Sequence, residues 1–87
     1  MLKIQRSANG KVVFTVSGRI EEEDVAELQR LIALEASDLR VILDLEGVTL
    51  VDRNAVTFLA RCEAERIQLE NCPAYIREWI ERERNRP

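Results

Sequence analysis

Few side chains in this 87-residue chain are of the kinds that do chemistry. It contains no histidine, so neither a Ser-His or Cys-His nucleophile pair nor a histidine-bearing zinc site can be assembled. Cys62 and Cys72 are not spaced as a CxxC redox or metal motif. They read as free thiols, with a structural disulfide as the lesser alternative. Four consecutive acids, Glu21 to Asp24, could hold a metal ion. They also open a helical pattern, and acids in a first turn meet the positive end of the helix dipole, which is the preferred reading. No Gly-rich phosphate loop of the P-loop kind is present.

The informative stretch is "VILDLEGVTLVDRNAV", residues 41 to 56. Two acids, Asp44 and Asp52, each end an apolar run, and Arg53-Asn54-Ala55 follow where a helix begins. A polar side chain at a helix start is a catalytic or signalling position, or only a cap. The motif offers Asp52 no histidine or lysine partner. Its carboxylate is expected to cap the helix by accepting from the amide of Asn54 or Ala55. The core does not need Arg53 or Asn54. They are either partner contacts or an ordinary solvated helix start. A free helix N-terminus is also an anion site by default, and Arg53 would strengthen it.

The elements that must position this stretch follow from periodicity. "MLKIQR" alternates as a half-buried strand, with Leu2 and Ile4 on one face. Asn9-Gly10 is a hairpin signal, because both residues tolerate positive φ. "VVFTVSG" returns with Val12, Phe14 and Val16 facing one way, and Gly18 ends it. "EEEDVAELQRLIALEAS" is a helix whose inner face carries Val25, Leu28, Leu31, Ile32 and Ala36, while Glu27, Arg30 and Glu35 stay wet. "RVILDL" is apolar on both faces, as a central strand is. A loop at Gly47 leads on to the helix "NAVTFLARCEAE", with Ala55, Phe58, Leu59 and Cys62 as its core stripe. "RIQLEN" is a short last strand, reached with almost no loop. "CPAYIREWIERERNRP" is a third helix with Pro73 in its first turn and Ile76, Trp79 and Ile80 inward.

The chain is therefore read as one α/β domain over residues 1–87, in the order β-β-α-β-α-β-α. The opening hairpin is antiparallel. Strands separated by helices pair in parallel through right-handed crossovers. Crossovers in one direction put the helices mainly on one face of a four-stranded mixed sheet. The other face is then thinly covered, which motivates a weak homodimer through Val13 and Ile42.

Composition narrows the function classes. The chain is 46% hydrophobic and 33% charged, with a formal net charge of −3, an ordinary globule. No basic stripe is present, and phosphate neutralisation needs clustered Lys and Arg, so nucleic acid is not an expected partner. No apolar run is long enough to span a bilayer, and no basic-then-apolar signal precedes the first strand. A cytoplasmic location without direct membrane insertion is expected. No cofactor is implied.

This element order, with Gly18-Arg19-Ile20 at the end of the second strand and Asp44 to Asp52 through the third, resembles a STAS domain over nearly the whole chain. That is the module of bacterial anti-sigma factor antagonists, also found in sulfate transporters, stressosome proteins and lipid-transport assemblies. In its phosphorylated members the second acid is followed by Ser-Ser-Gly or Ser-Thr-Gly, and a partner kinase modifies the second hydroxyl residue. By position, Asp52 matches the acid, Arg53 and Asn54 stand at the hydroxyl positions, and Ala55 replaces the glycine. The phosphoacceptor is gone: an asparagine amide accepts no phosphoryl group and, being neutral, does not imitate one. The resemblance implies a non-catalytic interaction module in a bacterial signalling or transcription-regulating pathway. Its partner would be an anti-sigma factor or serine-kinase-like protein, docked at Asp52, Arg53 and Asn54. The alternative is a structural subunit of a membrane-associated transport or sensory assembly, bracing an ATPase. Nucleotide binding, known in some of the family, is a weaker third.

Overall fold

The computed structural model describes residues 2–36 and 38–85. The assignments of Met1 to the first strand, Ser37 to the first helix, and Arg86 and Pro87 to the third helix lie outside them. Seven elements follow in the expected order: β1 (Leu2–Ala8), β2 (Val12–Ile20), α1 (Glu22–Ala33), β3 (Val41–Val51), α2 (Arg53–Ala64), β4 (Gln68–Glu70) and α3 (Ala74–Arg84). The sheet order is β1-β2-β3-β4. β1 and β2 are antiparallel, and β3 is parallel to both β2 and β4. The hairpin turns at Gly10, whose φ of 76° a residue without Cβ adopts freely.

One core holds the domain together. Val12, Phe14 and Val16 of β2 and Leu43 and Leu45 of β3 meet Leu28, Leu59, Ile76 and Ile80, so all three helices cover the same face of the sheet. The opposite face carries Lys3, Gln5, Thr15, Asp44 and Gln68, at positions alternating with the core residues. Ile42 also lies there, between Val13 and Gln68, yet it is only 1% exposed. Of the two residues expected to drive a homodimer on this face, Val13 is half-buried and Ile42 is shielded.

Two expectations need correction around β3. It is one strand of 11 residues without a loop at Gly47, and β2 does not stop at Gly18 but runs on to Ile20. Register shifts between Thr15 and Ser17 and between Gly18 and Arg19 make two bulges. Each inserts one extra residue into β3, so its inward positions become Leu45, Val48 and Val51, three apart instead of two. Gly18 takes a φ of 97° at the second bulge. Gly47 is required by close approach, because a Cβ there would lie 2.7 Å from the Cβ of Ser17.

The first helix is shorter than the apolar pattern suggested, and α2 keeps its expected 12 residues. α1 ends at Ala33 and leaves Ala36 exposed and outside the helix. Its last turn tightens, with the Leu34 amide donating to Leu31 O and the Glu35 amide to Ile32 O. Glu35 is not wet: it makes a bidentate pair with Arg6 of β1, at 2.8 Å for both bonds. α2 ends in a Schellman motif, with the Ile67 amide donating to Cys62 O and the Arg66 amide to Glu63 O. Arg66 sits at its left-handed position with φ 69°. On α3, Arg77 reaches Glu63 of α2 through two bonds of 2.8 and 2.9 Å and pins the two helices together. Trp79 packs against the core but is only half-buried.

Candidate functional site

Residues 44 to 54 divide into those that build the turn and those that face outward. Asp44 is a builder. Its Oδ1 accepts from the Glu46 amide at 3.1 Å and from Asn71 Nδ2 at 3.2 Å. It thereby fastens the first bulge of β3 to the end of β4.

Asp52 is a builder as well, and more thoroughly than a single cap. It precedes α2 in extended conformation, φ −100° and ψ 179°. Its Oδ1 accepts from the Ala55 amide at 2.9 Å, the cap that local spacing suggests. Its Oδ2 accepts from the Glu22 amide at 3.0 Å, and Glu22 is the first residue of α1. Its own amide donates to Ile20 O at 3.3 Å. One carboxylate thus closes the N-termini of two helices. The cause is topological: β2 and β3 are parallel and end side by side at Ile20 and Val51, so the helices that follow them start side by side. The α1 turn has a tie of its own, the Glu21 amide donating to Asp24 Oδ2 at 2.9 Å. The run of acids therefore serves the helix start. Among the described residues, no group of three or more Cys, Asp or Glu is arranged to hold a metal ion.

Part of the amide array expected to offer an anion site at the start of α2 is already taken. The Asp52 carboxylate itself occupies the amide of Ala55 and reaches the start of α1.

Arg53 and Asn54 are both exposed, but they serve different neighbours. Arg53 is drawn toward α3, with its Nε 3.9 Å from Glu83 Oε1. Asn54 lines a groove between α1 and α2, together with Glu22, Val25, Thr57 and Phe58. Nearby, Leu50 is 53% exposed and Tyr75 47% exposed. The Tyr75 hydroxyl donates to Thr49 O at 2.6 Å. The sequence singles out neither Leu50 nor Tyr75, and Glu22 only as one of the acids that open α1. The parallel pairing of β2 with β3 was the available signal for Glu22. Leu50 was hidden because a bulge turns it outward within an apolar run.

The thiols take no part in the turn. Both cysteines are free, Cys62 buried and Cys72 half-buried. Burial pushes the Cys62 thiol up to about 12 and raises that of Cys72 as well. Neither is an activated nucleophile at neutral pH.

No protein-family model matches the sequence, and no curated protein matches it. Solved structures do. One is the anti-sigma factor antagonist SpoIIAA in its unphosphorylated form, at TM-score 0.60 and 13% identity, covering 99% of this chain and 100% of that one. Another is an uncharacterized protein of the DUF3478 family from Shewanella loihica PV-4 with a SpoIIAA-like fold, at TM-score 0.59 and 13% identity, covering 97% of this chain and 76% of that one. A third is Mglu, at TM-score 0.58 and 23% identity, where 83% of this chain matches 19% of a much longer one. The chain has the SpoIIAA-like fold.

Proposed function

We propose that this chain is a non-catalytic interaction module that docks a protein partner at the start of α2 and is not phospho-switched at Asn54. The carrying observation is the division of labour in the turn. Asp44 and Asp52 give their carboxylates to backbone amides and a neighbouring side chain, whereas the Asn54 side chain is exposed and bonds to no other described residue. A side chain held outward on a rigid helix start, with no structural task of its own, suits recognition. The surrounding chemistry favours recognition over turnover, since the turn holds no nucleophile beside a base.

The class of partner comes from likeness. SpoIIAA, which shares the fold, is an anti-sigma factor antagonist with an unphosphorylated form. The STAS resemblance puts Asn54 where phosphorylated members carry their acceptor. An anti-sigma factor or serine-kinase-like protein is therefore the partner we infer, and the module stands in an unphosphorylated-like state whose control lies outside this residue. One observation favours a second reading, a structural part of a larger assembly: the fold also matches a segment of the much longer Mglu chain.

The test is photo-crosslinking in the native host. A benzophenone amino acid is placed at Asn54 or, as control, at Gln5 on the helix-free face. A discrete adduct from position 54 and none from position 5 is expected. Equal labelling from both positions would refute docking at this turn, and the identity of the adduct separates the two readings.

A further inference from the structure

We propose that the second bulge between β2 and β3 serves to present Leu50 to the partner, and that Leu50 is the apolar anchor of the docking surface. This rests on the docking reading above and deepens it by naming the chemistry of the contact: an apolar side chain of the same protein that docks at Asn54.

The exposure of Leu50 is built by the fold. Val48 faces the core, and in a regular strand the residue two positions on would face it as well. The extra residue at the bulge, Thr49, reverses that parity. Val51 therefore turns inward, and Leu50 is left 53% exposed. Folding gains nothing from turning a leucine to water. Two further residues hold the bulge. Gly18, opposite it, takes a φ of 97°, a conformation that strains any residue with a Cβ. From the other side, the Tyr75 hydroxyl donates to the carbonyl of Thr49 itself, at 2.6 Å. Tyr75 is thus a positioning residue. Its polar end is engaged by the bulge, and its side chain remains 47% exposed.

Place and size select the occupant. Leu50 closes β3 just before Asp52, at the end of the sheet from which α2 starts. The other large apolar side chains exposed among the described residues, Leu34 and Leu39, lie between the end of α1 and the start of β3, at the opposite end of the sheet. Two half-exposed side chains present on the order of 200 Å², against about 800 Å² per partner in a standard interface. Leu50 and Tyr75 are too small a patch to hold a second copy of this chain or a separate partner. They suit an anchor within a larger surface, where a few well-placed side chains carry most of the binding energy. The larger surface is the adjoining start of α2.

The anchor is tested in the native host with the benzophenone amino acid at position 50, beside the Asn54 crosslinker and with position 34 as control. Positions 50 and 54 should yield adducts with the same protein, and position 34 none. No adduct from position 50, or one there with a second copy of this chain or with a different protein, overturns the anchor and leaves docking at Asn54 intact. Equal labelling from positions 34 and 50 overturns it as well. No adduct from position 54 overturns the docking reading and the inference with it.

The partner identified in the adducts is then titrated, with thermal melts beside each variant. Leu50→Ser should weaken binding roughly ten-fold without lowering the melting temperature, since the side chain is exposed. Leu50→Met, which stays apolar, should bind more tightly than Leu50→Ser, and Leu34→Ser should bind as the natural chain does. Full-strength binding by Leu50→Ser overturns the anchor. Tyr75→Phe keeps the ring and loses the bond to Thr49. It should weaken binding about three-fold in the natural chain and no further once Leu50 is replaced by Ser, because its effect passes through Leu50. An additive loss overturns the positioning role of Tyr75.

Discussion

Asp52 carries more of the structure than a local motif would suggest. Asp52→Ala removes acceptors from two helix starts at once. The loss should reach about 1–2 kcal/mol, above that of an ordinary single cap, by urea denaturation. Arg66 offers the opposite case. It occupies a left-handed C-cap position, φ 69°, where a Cβ is strained. Arg66→Gly should stabilise the domain by roughly 0.5–1 kcal/mol in the same assay, whereas Arg66→Ala should not. The thiols should differ in reactivity. Cys62 is buried and held protonated far above neutral pH, so a thiol reagent should modify at most Cys72 in the native protein and both cysteines after unfolding. At this scale the sequence was legible where partners are near in the chain. The Asp52 bond to Ala55 could be read from spacing. Its bond to Glu22 could not, because the two residues meet only through the parallel pairing of β2 and β3.

Elements were legible in type and order, and least so in their ends. The alternation of β2 and the both-sided apolar run of β3 survived into the structure as its two interior strands. The second half of β3 did not read as strand, because its two bulges change the inward spacing from two to three. That rhythm no longer resembles a pleated strand. The α2–α3 seam was equally hidden, since Glu63 and Arg77 lie on different helices. Arg77 holds the Glu63 carboxyl below its ordinary value through a direct hydrogen bond. A carboxylate whose pKa is lowered on folding stabilises above its unfolded pKa, and that contribution is lost as pH falls through the folded value. Glu63→Gln should therefore be less stable by about 1 kcal/mol at neutral pH. The deficit should shrink as wild type is acidified below about pH 4. Melts of both proteins from pH 7 to pH 3 (on the order of the carboxylate range) check it, and a constant deficit contradicts it. Trp79 is half-buried, so Trp79→Ala should fall nearer to 2 than to the roughly 3–5 kcal/mol of a fully buried tryptophan.

As a whole, the molecule is a sheet armoured on one face and polar on the other. Shielding of Ile42 leaves the half-buried Val13 as the apolar residue of the homodimer surface expected on the helix-free face. Sedimentation at micromolar concentration should accordingly show a 10.0 kDa species. The recognition surface we propose lies on the helix-bearing side, at the start of α2. Its polar residues, Arg53 and Asn54, were visible in sequence where the resemblance expects hydroxyl side chains. Their separation onto two sides of the turn was not, because it depends on Glu83 of α3 and Glu22 of α1. The central claim is that Asn54 presents an uncharged docking surface in place of a phosphoacceptor. It is tested most directly by titrating the crosslinked partner with wild type and Asn54→Asp, beside thermal melts of each. A carboxylate at a helix start leaves the free domain as stable or raises its stability by about 0.3–1 kcal/mol, but it must be desolvated against the partner. The account predicts an unchanged or higher melting temperature together with binding weakened about tenfold or more. Full-strength binding by Asn54→Asp would contradict it.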